Sequence, residues 1–299
     1  MYTHMNIDKV LNNKRLCYAV IGINKQQFES LLTTFTQIWY EHLDRKGRKR
    51  KVGGGSNGNI KDPRKKLFFI LWYAKVYPTY DVAAYVFLSS KSRTQHWGKT
   101  LMPLLEKALG RKVVLPVRRI SSEEEFLSLF PGVQEILLDG VERPTVRRKK
   151  SKIQKKEYSG KKKRHTRKNT VITSTQKRIL YLSPTKNGKV HDKKSVDKTN
   201  IIPRIPSTIT IIADNGFQGL QHIHPNILMP KKRTKLKPLS QLEKEMNRLI
   251  SSIRIGVEHA IGGMKRFGIA AHIFRGRLGQ DDMFMNVSAG LYNLRLEYK

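Results

Sequence analysis

The sequence predicts an α/β protein, with an α-helical domain over residues 1–118 followed by a mixed α/β domain over residues 131–299. Three observations predict it. Up to about residue 115 the apolar residues recur at helical spacing. Beyond that, "QEILLDG" (134–140) and "TITIIADNG" (208–216) are β-branched apolar runs that end in an acid and a glycine turn, as buried strands do. Finally, "SQLEKEMNRLISSIRIGVEHAIGGMKRF" (240–267) opens with Ser240 and Glu243 at capping-box spacing, which adds a long helix after the strands.

The elements follow in order. Residues 23–44 place Phe28, Leu31, Leu32, Phe35, Ile38 and Trp39 on one helical face. A basic, glycine-rich loop, "RKGRKRKVGGGSNGN", comes next and lacks core-forming residues. Asp62 then serves as N-cap, with Pro63 at the first position of the following helix. A short helix from Thr79 to Phe87, a tight turn at "LSSK" and a second helix from about Lys91 have helix-turn-helix spacing. An ordinary helical hairpin fits the same pattern, because the turn lacks a glycine. The second helix opens with Ser92, Arg93, Gln95 and His96, small polar and basic residues suited to base edges and phosphates. Between the two acid-ended runs, "YSGKKKRHTRKNTVITST" and "RILYLSPTKNGKVHD" read as strands with turns at Ser159-Gly160 and Asn187-Gly188.

The charge narrows the function classes. Lys and Arg total 59 against 23 Asp and Glu, for a formal charge of +36 and a pI near 10.4. Such an excess repels itself and calls for a polyanion, with nucleic acid first and an anionic membrane surface second. The longest apolar run, "LFFILWYA" (67–74), is far short of the roughly 20 residues a membrane span needs. No secretory signal is expected, and a single cysteine, Cys17, excludes an internal disulfide framework and zinc sites built on paired cysteines. An intracellular, reducing location fits. From Arg143 to Lys168 there are fourteen Lys or Arg against one acid, Glu157, interleaved with Thr, Val, Ile and Tyr. The expectation is a strand face laid along phosphates, with Lys161 and Lys163 among its contacts.

In the long helix, Leu242, Met246, Leu249, Ile253, Val257, Ala260 and Met264 form the expected buried seam. At 100° per residue Arg254, Glu258 and Lys265 fall within roughly 40° of one another, about 100° or more off that seam. Alone, they read as a solvated charged stripe. Three acids change that: Asp139 and Asp214 end apolar strands, and Glu258 stands on a helix able to cover the sheet. A carboxylate at the end of a buried strand is costly unless paired or bound to metal. Three hard oxygen donors beside a phosphate-rich partner suggest Mg²⁺ or Mn²⁺, two ions acting on either side of a phosphodiester.

"LLDGVE" (137–142), "IIADNGFQG" (211–219) and the spacing of Arg254, three residues, Glu258, six residues, Lys265 resemble the motifs of DDE transposases of bacterial insertion sequences, in the branch related to Harbinger-type elements. Ser251 stands where relatives with the full signature carry tyrosine. The stretch from "RKRKVGGG" to "AAYVF" is similar to the helix-turn-helix domain preceding that catalytic domain, so the resemblance covers roughly residues 23–295. It implies an RNase H-like catalytic fold, a mixed five-stranded sheet with flanking helices and the first two acids on adjacent strands. It also implies that Asp139, Asp214 and Glu258 bind metal, two Mg²⁺ ions with Mn²⁺ able to substitute, while Arg254 and Lys265 contact DNA phosphates. The implied activity is binding of terminal inverted repeats, then strand cleavage and strand transfer into target DNA. A homo-oligomer on double-stranded DNA, in a bacterial cytoplasm at the nucleoid, is expected. The alternatives are a transposase-derived DNA-binding protein without catalysis, and an RNase H-like nuclease or resolvase. His191 and Asp192, after a strand, are weaker site candidates beside a turn and N-cap role. His222 and His224 read as a solvated loop and His259 as a packing residue.

Overall fold

The structure, a computed structural model, describes residues 5–44, 59–233 and 238–297. Most of the expected glycine-rich loop lies outside the described residues. The chain forms two compact units, one of Met1–Leu115, Met264–His272 and Met283–Lys299 and one of Pro116–Gly263 and Ile273–Asp282. The sequence pattern, however, assigns 264–272 and 283–299 to the second domain.

The first unit opens with α1 (Ile7–Leu11), α2 (Lys14–Val20), α3 (Lys25–Leu43), α4 (Pro63–Val76), α5 (Tyr80–Val86) and α6 (Lys91–Arg111). Polar caps set their starts. Asn24 and Gln27 form a capping box, while Asp62, Thr79 and Ser90 each accept a hydrogen bond from the backbone N–H three residues on. Phe28, Leu31, Phe35 and Ile38 of α3 are buried, as their spacing predicts. On α6 the buried Thr94 hydroxyl lies 3.1 Å from the Tyr80 carbonyl, which fixes α6 beside α5. Ser92, Arg93, Gln95 and His96, around Thr94, are all exposed.

The second unit contains α7 (Glu123–Leu129), β1 (Glu135–Pro144), α8 (Ser151–Glu157), β2 (Tyr158–Ser159), β3 (Arg164–Ser174), β4 (Ile179–Leu182), β5 (Lys186–Asn187), α9 (Asp192–Asp197), β6 (Thr210–Ala213), β7 (Ile227–Leu228) and α10 (Gln241–Met264). Strand β1 pairs antiparallel with β3 and parallel with β6, in register Leu138 to Ala213; β3 also carries β4, and β6 carries β7 in parallel. The sheet has seven strands and not five, because the two-residue strands β2 and β5 also pair with β3. Within it the path β4-β3-β1-β6-β7 is the mixed arrangement of an RNase H-like fold. Period-two alternation sends Ile136, Leu138, Ile211 and Ala213 into a core with Phe126 of α7 and Val196 of α9. Leu137 and Ile212, on the opposite face, meet Ile250 and Val257 of α10. Burial of each such aliphatic side chain contributes about 1.5–3 kcal/mol. Gly256 permits the approach of α10: a Cβ there would lie 2.9 Å from Leu137 Cδ1.

The remaining helices are α11 (Gly268–Ala271) and α12 (Gln280–Leu296). Packing explains why most of this region joins the first unit. A Cβ on Gly268 would come within 3.0 Å of the Lys75 carbonyl, and one on Gly290 within 2.6 Å of Leu115 Cδ2. Among the described residues no helix is long and apolar enough to cross a membrane.

Four expectations fail on detail. The basic segment is not one strand face, because α8 interrupts it and its two ends turn inward: Arg143 is 1% exposed and Lys168 5%. The Arg143 guanidinium stacks over Phe274, a contact no local pattern reveals. The seam of α10 is buried only in its later turns; Leu242, Met246 and Leu249 are exposed, because the contacts with Leu137 and Ile212 begin at Ile250. His224 is buried, with its Nδ1 accepting from the Asn226 amide and Nε2 3.1 Å from the Pro206 carbonyl, whereas His259 is exposed.

Candidate active site

The parallel pairing of β1 and β6 stops at Leu138 and Ala213, so Asp139 and Asp214 are the next residue on each chain segment. Strand β6 ends there, whereas β1 continues against β3 to Pro144, so Asp139 lies inside its strand and does not end it as the sequence pattern predicts. Each carboxylate is anchored locally. Asp139 Oδ1 accepts from the Gly140 amide and Asp214 Oδ1 from the Asn215 amide, both at 2.7 Å. Arg254 of α10 reaches both acids, with guanidinium nitrogens 3.7 Å from Asp139 Oδ2 and 3.8 Å from Asp214 Oδ1. The turns around Arg254 bury Ile250 and Val257 on the sheet, which leaves its side chain, 13% exposed, at the margin of the packed face.

Burial pushes the Asp139 carboxyl above the usual carboxylate range. The Gly140 hydrogen bond and the Arg254 charge oppose the shift, while the charges of Asp214 and Asp192 add to it. One cation thus serves two carboxylates, and the pair keeps a net negative charge. Hard oxygen donors with surplus negative charge suit a divalent cation such as Mg²⁺ or Mn²⁺, so the donor chemistry fits the expected ion.

Not every predicted residue joins this pair. Glu258 lies one turn beyond Arg254 on α10, and its side chain is exposed. Lys265 follows the end of α10 by one residue. Among the described residues, no three His, Cys, Asp or Glu side chains stand close enough together to hold a metal ion. Ser92, Arg93, Gln95 and His96 are on the other compact unit, and Lys161 and Lys163 are exposed in the turn between β2 and β3. His191 occupies the N-cap position of α9 without a side-chain capping bond.

Asp192 comes closer to the pair than its sequence context suggests. A Cβ on Gly140 would lie 2.9 Å from Asp192 Oδ1, and one on Gly216 3.2 Å from Asp192 Oδ2. Lys168 Nζ donates to Asp192 Oδ1 at 2.9 Å and to the Val190 carbonyl at 3.1 Å, and pairs with Glu142 Oε1 at 3.2 Å. Burial lowers the Lys168 ammonium, but Asp192 and Glu142 outweigh it and hold it above the ordinary lysine range. Sequence reasoning misses Lys168 and Glu142 here. The available signal is alternation in "DGVE", which puts Glu142 on the face of Gly140 and opposite to Asp139.

A sequence model of the DDE superfamily endonuclease family matches residues 138–293. The probable transposase for insertion sequence element IS702 of Microchaete diplosiphon is 34% identical over 191 residues, which cover 64% of this chain and 66% of that protein, just under two thirds of its length. No solved structure matches the chain. The match begins one residue before Asp139 and runs through Asp214, so it spans both acids that the sheet sets side by side. The chain belongs to the DDE superfamily of endonucleases.

Proposed function

We propose that the chain is the transposase of an insertion sequence, binding the element's terminal inverted repeats and cutting and joining DNA at Asp139, Asp214 and Glu258. The observation that carries this reading is the placement of Asp139 and Asp214 side by side, each one residue past the last parallel pair of β1 and β6, with Arg254 across them. The 34% identity to a probable insertion-sequence transposase supports it. Divalent ions serve this family; Asp139, Asp214 and Glu258 would hold Mg²⁺, which when bound would supply Lewis-acid polarisation of the phosphate and of the attacking water. Displacement at phosphorus bonds a water oxygen to the phosphorus and breaks the P–O3′ bond. The freed 3′-hydroxyl then attacks a target phosphodiester in the same way. Arg254 pairs with both aspartates before DNA arrives, and its guanidinium, with Lys265, meets the phosphate of the strand being cut. The protein works as a homo-oligomer on double-stranded DNA at the bacterial nucleoid.

The exposed side chains of Ser92, Arg93, Gln95 and His96 read bases, because α6 displays them around the buried Thr94. The test is a labelled duplex ending in the element's inverted repeat, incubated with Mg²⁺ beside a scrambled end. Cleavage at the repeat end alone is expected, and equal cleavage of both duplexes overturns the reading. Alanine at Arg93 and Gln95 should lower the preference for the repeat while leaving attraction to random duplex nearly intact. Affinity falling equally for both would place sequence reading elsewhere.

Lys161 and Lys163 project from an exposed turn and contact phosphates. Replacing both with glutamine should weaken binding to every duplex. The slope of log affinity against log salt should flatten by about 0.9 for each phosphate no longer neutralised. Arg143 and Lys168 are buried and take no part in that term.

A further inference from the structure

Strand alternation puts Asp139 on the α10 face of β1 and Gly140 on the opposite face. Asp192 occupies that opposite face. Its two oxygens lie against Gly140 and Gly216, the glycines that follow Asp139 directly and Asp214 by two residues. A side chain at either position would contend with this carboxyl group, at 2.9 Å for Gly140 and 3.2 Å for Gly216.

The wedge is itself fixed. Lys168 is paired with Glu142 directly across the β1–β3 ladder, and its ammonium has three oxygen acceptors, on Asp192, Glu142 and Val190. Glu142 also accepts from the Thr166 hydroxyl at 2.8 Å. Lys168, Glu142 and Asp192 are 6%, 8% and 17% exposed at the side chain, so the cluster is largely withdrawn from water. One cation faces two carboxylates, and the cluster carries one surplus negative charge beside a pair of acids that already carries one of its own.

We propose that Asp192, clamped by Lys168, is a positioning residue for the Asp139–Asp214 pair: it fixes the backbone beside the two acids from behind and strengthens their hold on a divalent cation. The inference rests on the reading that Asp139 and Asp214 bind such an ion. Asp192 touches neither the ion nor DNA; it acts through the backbone of Gly140 and Gly216. Lys168 acts one step further back, by holding the Asp192 carboxylate in place.

The test is Mn²⁺ binding to the 299-residue chain without DNA, followed by calorimetry, with thermal unfolding measured alongside. Asp192→Asn keeps the shape and leaves Lys168 paired with Glu142, so it should unfold cooperatively near the wild-type temperature. Its Mn²⁺ affinity should fall by roughly 10-fold or more, the usual cost of removing a group that orients a ligand. Lys168→Gln removes a positive charge, so a simple count of charges would make Mn²⁺ bind more tightly. Positioning requires the opposite, a comparable loss of affinity. Wild-type affinity in Asp192→Asn, or unchanged or tighter binding in Lys168→Gln, overturns the proposal. If Lys168→Gln does not fold, Asp192→Asn decides alone. Asp139→Asn is the control for the reading beneath: Mn²⁺ binding that survives it would dismiss the aspartate pair as the ion site, whatever Asp192 does.

Discussion

Asp139→Asn and Asp214→Asn should each abolish Mg²⁺-dependent strand cleavage, lowering the rate on the order of 10³-fold, while duplex binding persists. Asparagine keeps the size of the side chain and its hydrogen bond from the next backbone amide. In the proposed reading it removes the charge that would hold a divalent ion between the two carboxylates. The double variant should be scarcely slower than either single one, because the oxygens act as one unit. Stability separates this effect from damage to the fold. Burial raises the Asp139 carboxyl above its ordinary value of 3.8, so the folded state binds its proton more tightly than the unfolded chain does. The stability this group contributes is therefore full below about pH 3.8 and is lost as pH rises through the raised folded value. At neutral pH the buried carboxylate is a cost that Asp139→Asn removes, so its melting temperature should not fall. A cleavage rate near wild type in a folded Asp139→Asn protein would take this acid out of the reaction.

Much of this site is legible in the sequence because its signals are local. "LLDG" and "ADNG" each state a buried strand, although only the second also marks its end, since β1 runs on past Asp139 to Pro144. Burial on both faces leaves those acids few roles apart from pairing or metal binding. The amino-terminal helices are legible for the same reason, since Asp62, Thr79 and Ser90 cap the helices that follow them. Long-range contacts are not. Periodicity shows which face of α10 is apolar but not where the sheet beneath it stops, so it assigns Leu242, Met246 and Leu249 to the core although they are 70%, 43% and 53% exposed. The basic run hides three kinds of residue under one composition. Lys161 and Lys163 stand in solvent, Arg143 lies under Phe274, and Lys168 pairs with both Glu142 and Asp192. Only the sheet register separates them. Asp192 illustrates the same limit, because its importance depends on two glycines that are distant in sequence.

Glu258→Gln should leave thermal stability and duplex binding unchanged yet reduce Mg²⁺-dependent cleavage on the order of 10³-fold, as loss of either aspartate does. The first half follows from exposure. The Glu258 side chain is in solvent, so its neutral amide analogue loses no packing, and an exposed ion pair with Arg254 one turn away would be worth only about 0.3–0.5 kcal/mol. The second half follows from its place on α10. Arg254, four residues earlier, meets Asp139 and Asp214. The next residue on that stripe is Glu258, offset by roughly 40° around the axis and one turn along it. In the proposed reading, a carboxylate there would complete an oxygen set with the two aspartates once DNA brought metal and phosphate beside them. A decorative surface charge and a catalytic ligand thus differ in what they leave untouched. Both spare stability, but only the ligand's loss stops cleavage, and Mn²⁺ should return part of the rate because it accepts imperfect oxygen sites. Glu258→Asp sharpens the comparison, keeping the charge and shortening its reach by one methylene, so a small but measurable rate should remain where glutamine leaves none. Repeat ends cut by Glu258→Gln at the wild-type rate would reduce the site to the two aspartates of the sheet and Arg254.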